Sequence, residues 1–337
     1  MKQRSVVLSI SLGCLLVVGL LLMTGPRAKA NCGVCGEKGT QARAVFAGTG
    51  HSLSKDPAAA GAEAAKEAKA GLGGKKAKVV LVFDSDDVGG GLKNKQKVLD
   101  AVAKEFDASI IYGCSAYNSI TEASNYATVG VVALAGDIRA DACLAKLEGK
   151  DYAGCGTNIG KGIQEAVKKA GDKGKFLILI GDCHVPKNDE LVKGVCGVLG
   201  KNFPVAGGAA KDGLAYCRGK VVPKSNLGLL LSGDFTCGFS TRKGNTGPEV
   251  IAAAGEAFTE AIGKEKDHAI ALFAFDCGGR RGSMGKDRPK ELVEMKKVAG
   301  KAPIIGFYGS GEIGPARTGE EPKGVGYHIV TVSLMAK

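Results

Sequence analysis

A chain of 337 residues, 45% of them hydrophobic and 24% charged, is too apolar to be disordered and long enough to bury a sizeable core. Its net charge of +12 comes without a stripe of Lys and Arg interleaved with aromatics. That argues against a nucleic-acid partner and for a solvated, Lys-rich surface.

The first thirty residues read as a leader rather than as part of the fold. Lys2 and Arg4 precede an apolar run over residues 6–23, and Ala28-Lys29-Ala30 has the form of a cleavage site. The pattern predicts a secretory signal peptide over 1–30 and an exported protein, periplasmic or extracellular, whose only membrane segment is this one. An uncleaved anchor is the other reading of so long an apolar run. Loss of Lys2, Arg4, Arg27 and Lys29 would take the net charge from +12 to +8. Residues 31–41 hold Cys32 and Cys35. Gly36 stands where a haem attachment site needs His, and no second Cys or His pair completes a zinc set, so a short-loop disulfide is expected there. Neither a metal nor a cofactor is expected elsewhere. Export would permit further disulfides, but the pairing of the remaining cysteines is not readable.

From residue 42 onward the chain repeats itself three times at a period of about 95 residues, each unit following one plan. The first helices are expected at 57–72, 157–171 and 247–263, rich in Ala, Lys and Glu. Continuous apolar strands follow at 78–85, 175–183 and 269–277, as in sheets covered on both faces. Superposing them aligns Asp84, Asp182 and Asp276. Second helices are expected at 93–106, 187–200 and 289–300. Further strand-and-turn segments lie at 108–116, 203–212 and 302–315, where Gly113, Gly207 and Gly306 align. Last strands are expected at 129–137, 226–234 and 326–334. The fold class is therefore α/β, with three helix-strand-helix-strand-strand units forming largely parallel or mixed sheets covered by helices. Ligands of such sheets bind outside the carboxyl ends of the strands.

Three stretches carry a family resemblance. Tyr112-Gly113-Cys114-Ser115, then Val205-Ala206-Gly207-Gly208 with Asp212-Gly213 and LLLSGD, and finally FDCGGRR with GFYGSGEIGP are similar to the signature segments of the FIST family. The resemblance implies an N-terminal FIST-like domain of two repeats over 42–240 and a C-terminal one over 241–337. It further implies a sensor of small ligands, with amino acids the suggested class. The chain departs from the family's usual context, since it carries no kinase, cyclase or chemoreceptor segment. Ala116-Tyr117-Asn118-Ser119 also stands where a Thr-x-Gly-Glu run is common.

The candidate ligand-binding residues are Cys114, Ser115, Cys277, Arg280, Arg281, Tyr308, Gly311 and Glu312. Arg280 or Arg281 can grip a carboxylate with a two-pronged hydrogen bond, and Glu312 can accept from an ammonium group. Glycines let backbone approach a ligand closely. Two alternatives stay open. Cys277 beside Arg280 would be an activated thiol of an enzyme, with His184 near enough to help. Cys114, Cys183 and Cys277, at or near equivalent loop positions, would allow a disulfide across the site. The implied partners are a small molecule and an envelope signalling protein. An envelope partner-binding module with no small ligand is the third reading.

Overall fold

The structure, a computed structural model, describes residues 44–337 other than 265. The leader and the Cys32–Cys35 segment lie outside the described residues. Residues 42–337 form one unit. The first repeat runs β1 (Val45–Ser52), α1 (Pro57–Gly71), β2 (Ala77–Ser85), α2 (Leu92–Val102), β3 (Ile111–Ala116), β4 (Ser119–Thr121) and β5 (Val129–Gly136). The second runs β6 (Ile138–Lys146), α3 (Tyr152–Ala170), β7 (Gly174–Gly181), α4 (Lys187–Leu199), β8 (Val205–Ala209), β9 (Leu214–Cys217), β10 (Lys220–Pro223) and β11 (Ser225–Gly233). The third runs β12 (Thr236–Lys243), α5 (Gly247–Ile262), β13 (Ala269–Cys277), α6 (Gly278–Met284), α7 (Arg288–Ala299), β14 (Ile304–Gly309), β15 (Glu312–Gly314), β16 (Lys323–Val325) and β17 (His328–Met335).

Each repeat opens on a strand, β1, β6 or β12, and not on the helix expected from the sequence. The stretch after Cys277, expected to be a loop, is a short helix. Helix α3 begins five residues earlier than its composition indicated, because Asp151 caps it by accepting from the Gly154 N–H at 2.7 Å.

The sheets share one strand order: β1-β5-β2-β3, β6-β11-β7-β8 and β12-β17-β13-β14. They are mixed, with a single parallel pair in each: β2–β3, β7–β8 and β13–β14. In all three pairs a glycine sits opposite the same strand position: Val82↔Gly113, Leu179↔Gly207 and Ala274↔Gly306. An added Cβ there would stand 1.8, 2.0 and 1.8 Å from the carbonyl oxygen of the facing residue. The repeated Gly is thus required by close backbone approach. The register also corrects one expected equivalence. Two residues beyond Val82, Leu179 and Ala274 lie Asp84, Gly181 and Asp276, so Asp182 falls one position late.

The sheets exchange strands in a cycle. The β9–β10 hairpin of repeat two extends the repeat-one sheet at β3. Strand β4 of repeat one extends the repeat-three sheet at β14, and β15–β16 of repeat three extend the repeat-two sheet at β8. Side chains alternate across each strand. Val80 and Val82, Leu177 and Leu179, and Leu272 and Ala274 face their own repeat's helices. Leu81 and Phe83, Ile178 and Ile180, and Phe273 and Phe275 face a central cluster shared by all three repeats. Both faces are covered, which explains the continuous apolar runs. Ring pairs cross between repeats in this cluster: Phe83–Phe307 at 4.8 Å and Phe176–Phe273 at 5.8 Å. Such pairs add about 0.5–1.5 kcal/mol each beyond area burial. Among the described residues no helix is long and apolar enough to cross a membrane.

Candidate functional site

Alternation along β13 separates two chemistries at its carboxyl end. Asp276 points toward the helices and Cys277 toward the shared interior. A cleft of about 610 Å³ opens over Cys277. Repeat one contributes Tyr117 to its lining, repeat two contributes His184 and Val185, and repeat three contributes Gly278, Gly279, Arg281 and Tyr327. Gly278 and Gly279 make room for rings. A Cβ on Gly278 would stand 2.7 Å from the Tyr117 ring, and one on Gly279 would stand 3.1 Å from the Tyr327 ring. Tyr327 itself adopts φ 64°, a left-handed conformation that a bulky residue holds only when its surroundings fix it.

The Cys277 thiol is 6% exposed. Burial, with the nearby Glu312, pushes it up to about 11, while backbone N–H groups of Gly279, Tyr327 and Arg280 oppose that rise. It is held as a thiol at neutral pH, which runs against the activated-nucleophile expectation. Glu312 is fully buried beneath it. Its Oε2 accepts from the His328 N–H at 3.0 Å, and its Oε1 makes no hydrogen bond. Burial holds its carboxyl well above the usual carboxylate range. Glu312 is buried and does not line the cleft, so it does not meet a ligand's ammonium group there.

Arg280 also lies off the cleft. Its side chain is fully buried, with Nε donating to Asp276 Oδ1 at 2.7 Å. Nη2 donates to Glu291 Oε1 at 3.0 Å and to the Val250 carbonyl at 2.9 Å. It is committed to tying β13 to α5 and α7, so the expected Arg280–Glu312 grip on a zwitterion does not form. Arg281, one residue on, turns to the cleft. Its Nε donates to Asn118 Oδ1 at 2.9 Å, the one hydrogen bond it makes among the described residues. Burial and the neighbouring Arg288 lower its pKa from the ordinary value.

The other candidates serve the frame. Tyr308 is buried on the helix side of β14, where its hydroxyl donates to Glu291 and accepts from Asn125. Ser115 is buried and donates to the Lys211 carbonyl. Cys114 lies in the central core, and burial raises its pKa well above that of an ordinary thiol. Gly311 accepts from the Ala209 N–H at 2.7 Å, where β15 joins β8. Cys114, Cys183 and Cys277 do not occupy equivalent positions: Cys114 corresponds to Phe307 and Cys183 to Gly278 in register. All eight described cysteines are free thiols, so no disulfide crosses the site.

Sequence reasoning passed over Tyr117, Asn118, Arg288 and Tyr327. The departure noted at residues 116–119 was a signal for the first two. Those residues carry the chain into β4, and backbone hydrogen bonds Tyr117 N–H to Tyr308 O (2.9 Å) and Tyr308 N–H to Asn118 O (3.0 Å) dock them on repeat three.

A mixed α/β protein of three interlocked repeats, with a cleft at its strand ends, is the class that the fold and site define. The chain matches the FIST N domain over residues 78–259 and the FIST C domain over residues 232–315, and it belongs to the FIST family, whose domains are sensory and ligand-binding. Two solved cyanuric acid hydrolases are similar to it in structure. One shares 9% identity over 86% of this chain and 99% of its own, with a TM-score of 0.45. The other, from A. caulinodans, shares 8% identity over 87% and 100%, also at 0.45. No curated protein matches the chain.

Proposed function

We propose that this protein is an exported ligand-binding sensor that takes a small polar molecule of the amino-acid class in the cleft over Cys277. The observation that carries the reading is the cleft itself. It is assembled from all three repeats and presents one cationic side chain, Arg281, whose terminal nitrogens make no hydrogen bond among the described residues. Guanidinium groups so placed hold carboxylates by paired hydrogen bonds. Tyr117 and Tyr327 supply apolar walls with hydroxyls. Export is supported by the leader at residues 1–30, and occupancy would be reported to an envelope partner.

The test is a thermal-shift screen of amino acids and related acids, with and without reductant, on wild type and Arg281→Gln. A ligand at a hundred times its Kd stabilises by about 2.7 kcal/mol, a rise on the order of 5 °C for a protein of this size. Saturable stabilisation that disappears in Arg281→Gln supports the reading. No shift with any compound sinks it.

A further inference from the structure

Arg281 shares its hydrogen-bond acceptor with a second, buried arginine. Arg288, the first residue of α7, donates from Nη1 to Asn118 Oδ1 at 3.1 Å, and Arg281 donates from Nε to that same oxygen at 2.9 Å. Arg288 is 4% exposed and its guanidinium lies 3.2 Å from the centre of the Tyr126 ring. Its Nε is buried and makes no hydrogen bond. Among the described residues neither arginine has a carboxylate within ion-pair distance. Asp87 acts on Arg281 through space and touches the cluster through Asn118, whose Nδ2 donates to Asp87 Oδ2 at 3.1 Å.

Two guanidinium groups that cannot lose their protons therefore converge on one neutral amide oxygen. A buried cation without a counter-charge is costly. Arg280 provides the contrast within the same segment, since two acidic side chains, Asp276 and Glu291, meet it. Arg281, at the cleft, and Arg288, buried beside it, are left without a contacting carboxylate among the described residues.

Building on the ligand-binding reading of the cleft, we infer that Arg281 and Arg288 form a paired clamp for an oxyanion group of the ligand, a carboxylate or a phosphate. An anionic oxygen joining or replacing Asn118 Oδ1 would satisfy both forks at once, with Arg288 setting the preference for an acid over its neutral amide. Acidic ligands then bind in preference to isosteric amides.

The experiment compares isosteres at constant ionic strength by isothermal titration. Aspartate, glutamate and succinate form the carboxylate arm, inorganic phosphate the phosphate arm, and succinamide and glutaramide, which carry no carboxylate, the neutral controls. A response in either anionic arm at least about tenfold tighter than the controls supports the clamp and identifies its source. The decisive variant is the double exchange Asn118→Asp with Asp87→Asn, which keeps net charge and places a carboxylate between the two guanidinium groups. It should raise the melting temperature of the ligand-free protein and weaken anion binding by about tenfold or more. Arg288→Lys keeps the charge but loses the fork, and should narrow the ratio of acid to amide affinity by about tenfold. Amides binding as well as acids, or an exchange variant with undiminished anion affinity, overturns the clamp while leaving the cleft a ligand site. Failure of every compound to bind overturns both.

Discussion

Arg280 and Arg281 stand side by side in sequence and should fail in opposite ways when truncated. Replacing Arg280 by Met removes the one cation that, among the described residues, contacts two fully buried carboxyl groups, Asp276 and Glu291. Breaking one side of such a buried arrangement costs about 3–5 kcal/mol. At roughly 2 °C per kcal/mol for a chain of this size, the melting temperature should fall by about 6–10 °C. Arg281→Met gives up one hydrogen bond from a half-buried side chain and should cost about 1 kcal/mol or less, while abolishing the stabilisation that ligand brings. The chain has no Trp, so urea unfolding is best followed by far-UV circular dichroism. A pH series sharpens the case. Burial and Asp276 already raise the Glu291 pKa well above the ordinary value, and losing Arg280 raises it further. A carboxyl with a raised folded pKa favours folding when protonated, so the deficit of Arg280→Met should narrow as pH is lowered toward 4. An Arg280→Met protein within 1 kcal/mol of wild type that no longer binds ligand, beside a destabilised Arg281→Met, would refute the assignment of one arginine to the frame and the other to the cleft.

Asp84 gives a pH signature of its own. Burial, outweighing Lys95 and Tyr216, pushes its pKa up from 3.8 to about 6. The folded state therefore binds that proton more tightly, and the stabilisation is complete below pH 3.8 and lost as pH rises through 6. Asp84→Asn removes this dependence, so the stability difference between wild type and variant should drift by about 2 kcal/mol from pH 4 to pH 7, and a flat difference contradicts it. Gly306→Ala, which puts a Cβ 1.8 Å from the Ala274 carbonyl oxygen, should prevent stable folding. Gly282→Ala, with open space in helix α6, should be neutral or stabilising by up to about 1 kcal/mol. Equal midpoints for the two would show that close strand approach is not what requires the glycine.

The repeats were legible because each central strand is apolar on both faces and each parallel pair demands a glycine. What escaped notice had weak local signals. The opening strands β1, β6 and β12 are sheet edges, and VFAGTGHS, IRADACLAK and TCGFSTRK carry the small and polar residues that edges tolerate. Strands β4, β15 and β16 are three residues long; β4 and β15 are placed by partners in another repeat, which no local pattern encodes, and β16 pairs on β15. The slip at Asp182 came from matching acids rather than pairing register, a distinction visible only once Leu179 is seen opposite Gly207. At the site, FDCGGRR identified Cys277 and Arg281 but also drew in Arg280. Consecutive residues on a helix leave it in directions about 100° apart, so which arginine reaches the cleft depends on how α6 is set against its neighbours.

That dependence extends to the whole cleft. Tyr117 lines it and Asn118 holds Arg281 beside it because repeat one sends β4 onto β14, and Tyr327 follows directly from the β16 end that repeat three lends to repeat two. The strand exchange that closes the fold is therefore also what assembles the site. A change that loosens one exchanged strand acts on the ligand wall and on the neighbouring sheet together. Weakening of β4, for instance, releases Asn118 from both Arg281 and Arg288 while uncovering the edge of β14. Ligand held by the arginine pair would in turn tighten the seam between repeats one and three. That coupling gives a sensor of this architecture a physical route from an occupied cleft to a change in its surface, without requiring any repeat to change its own fold.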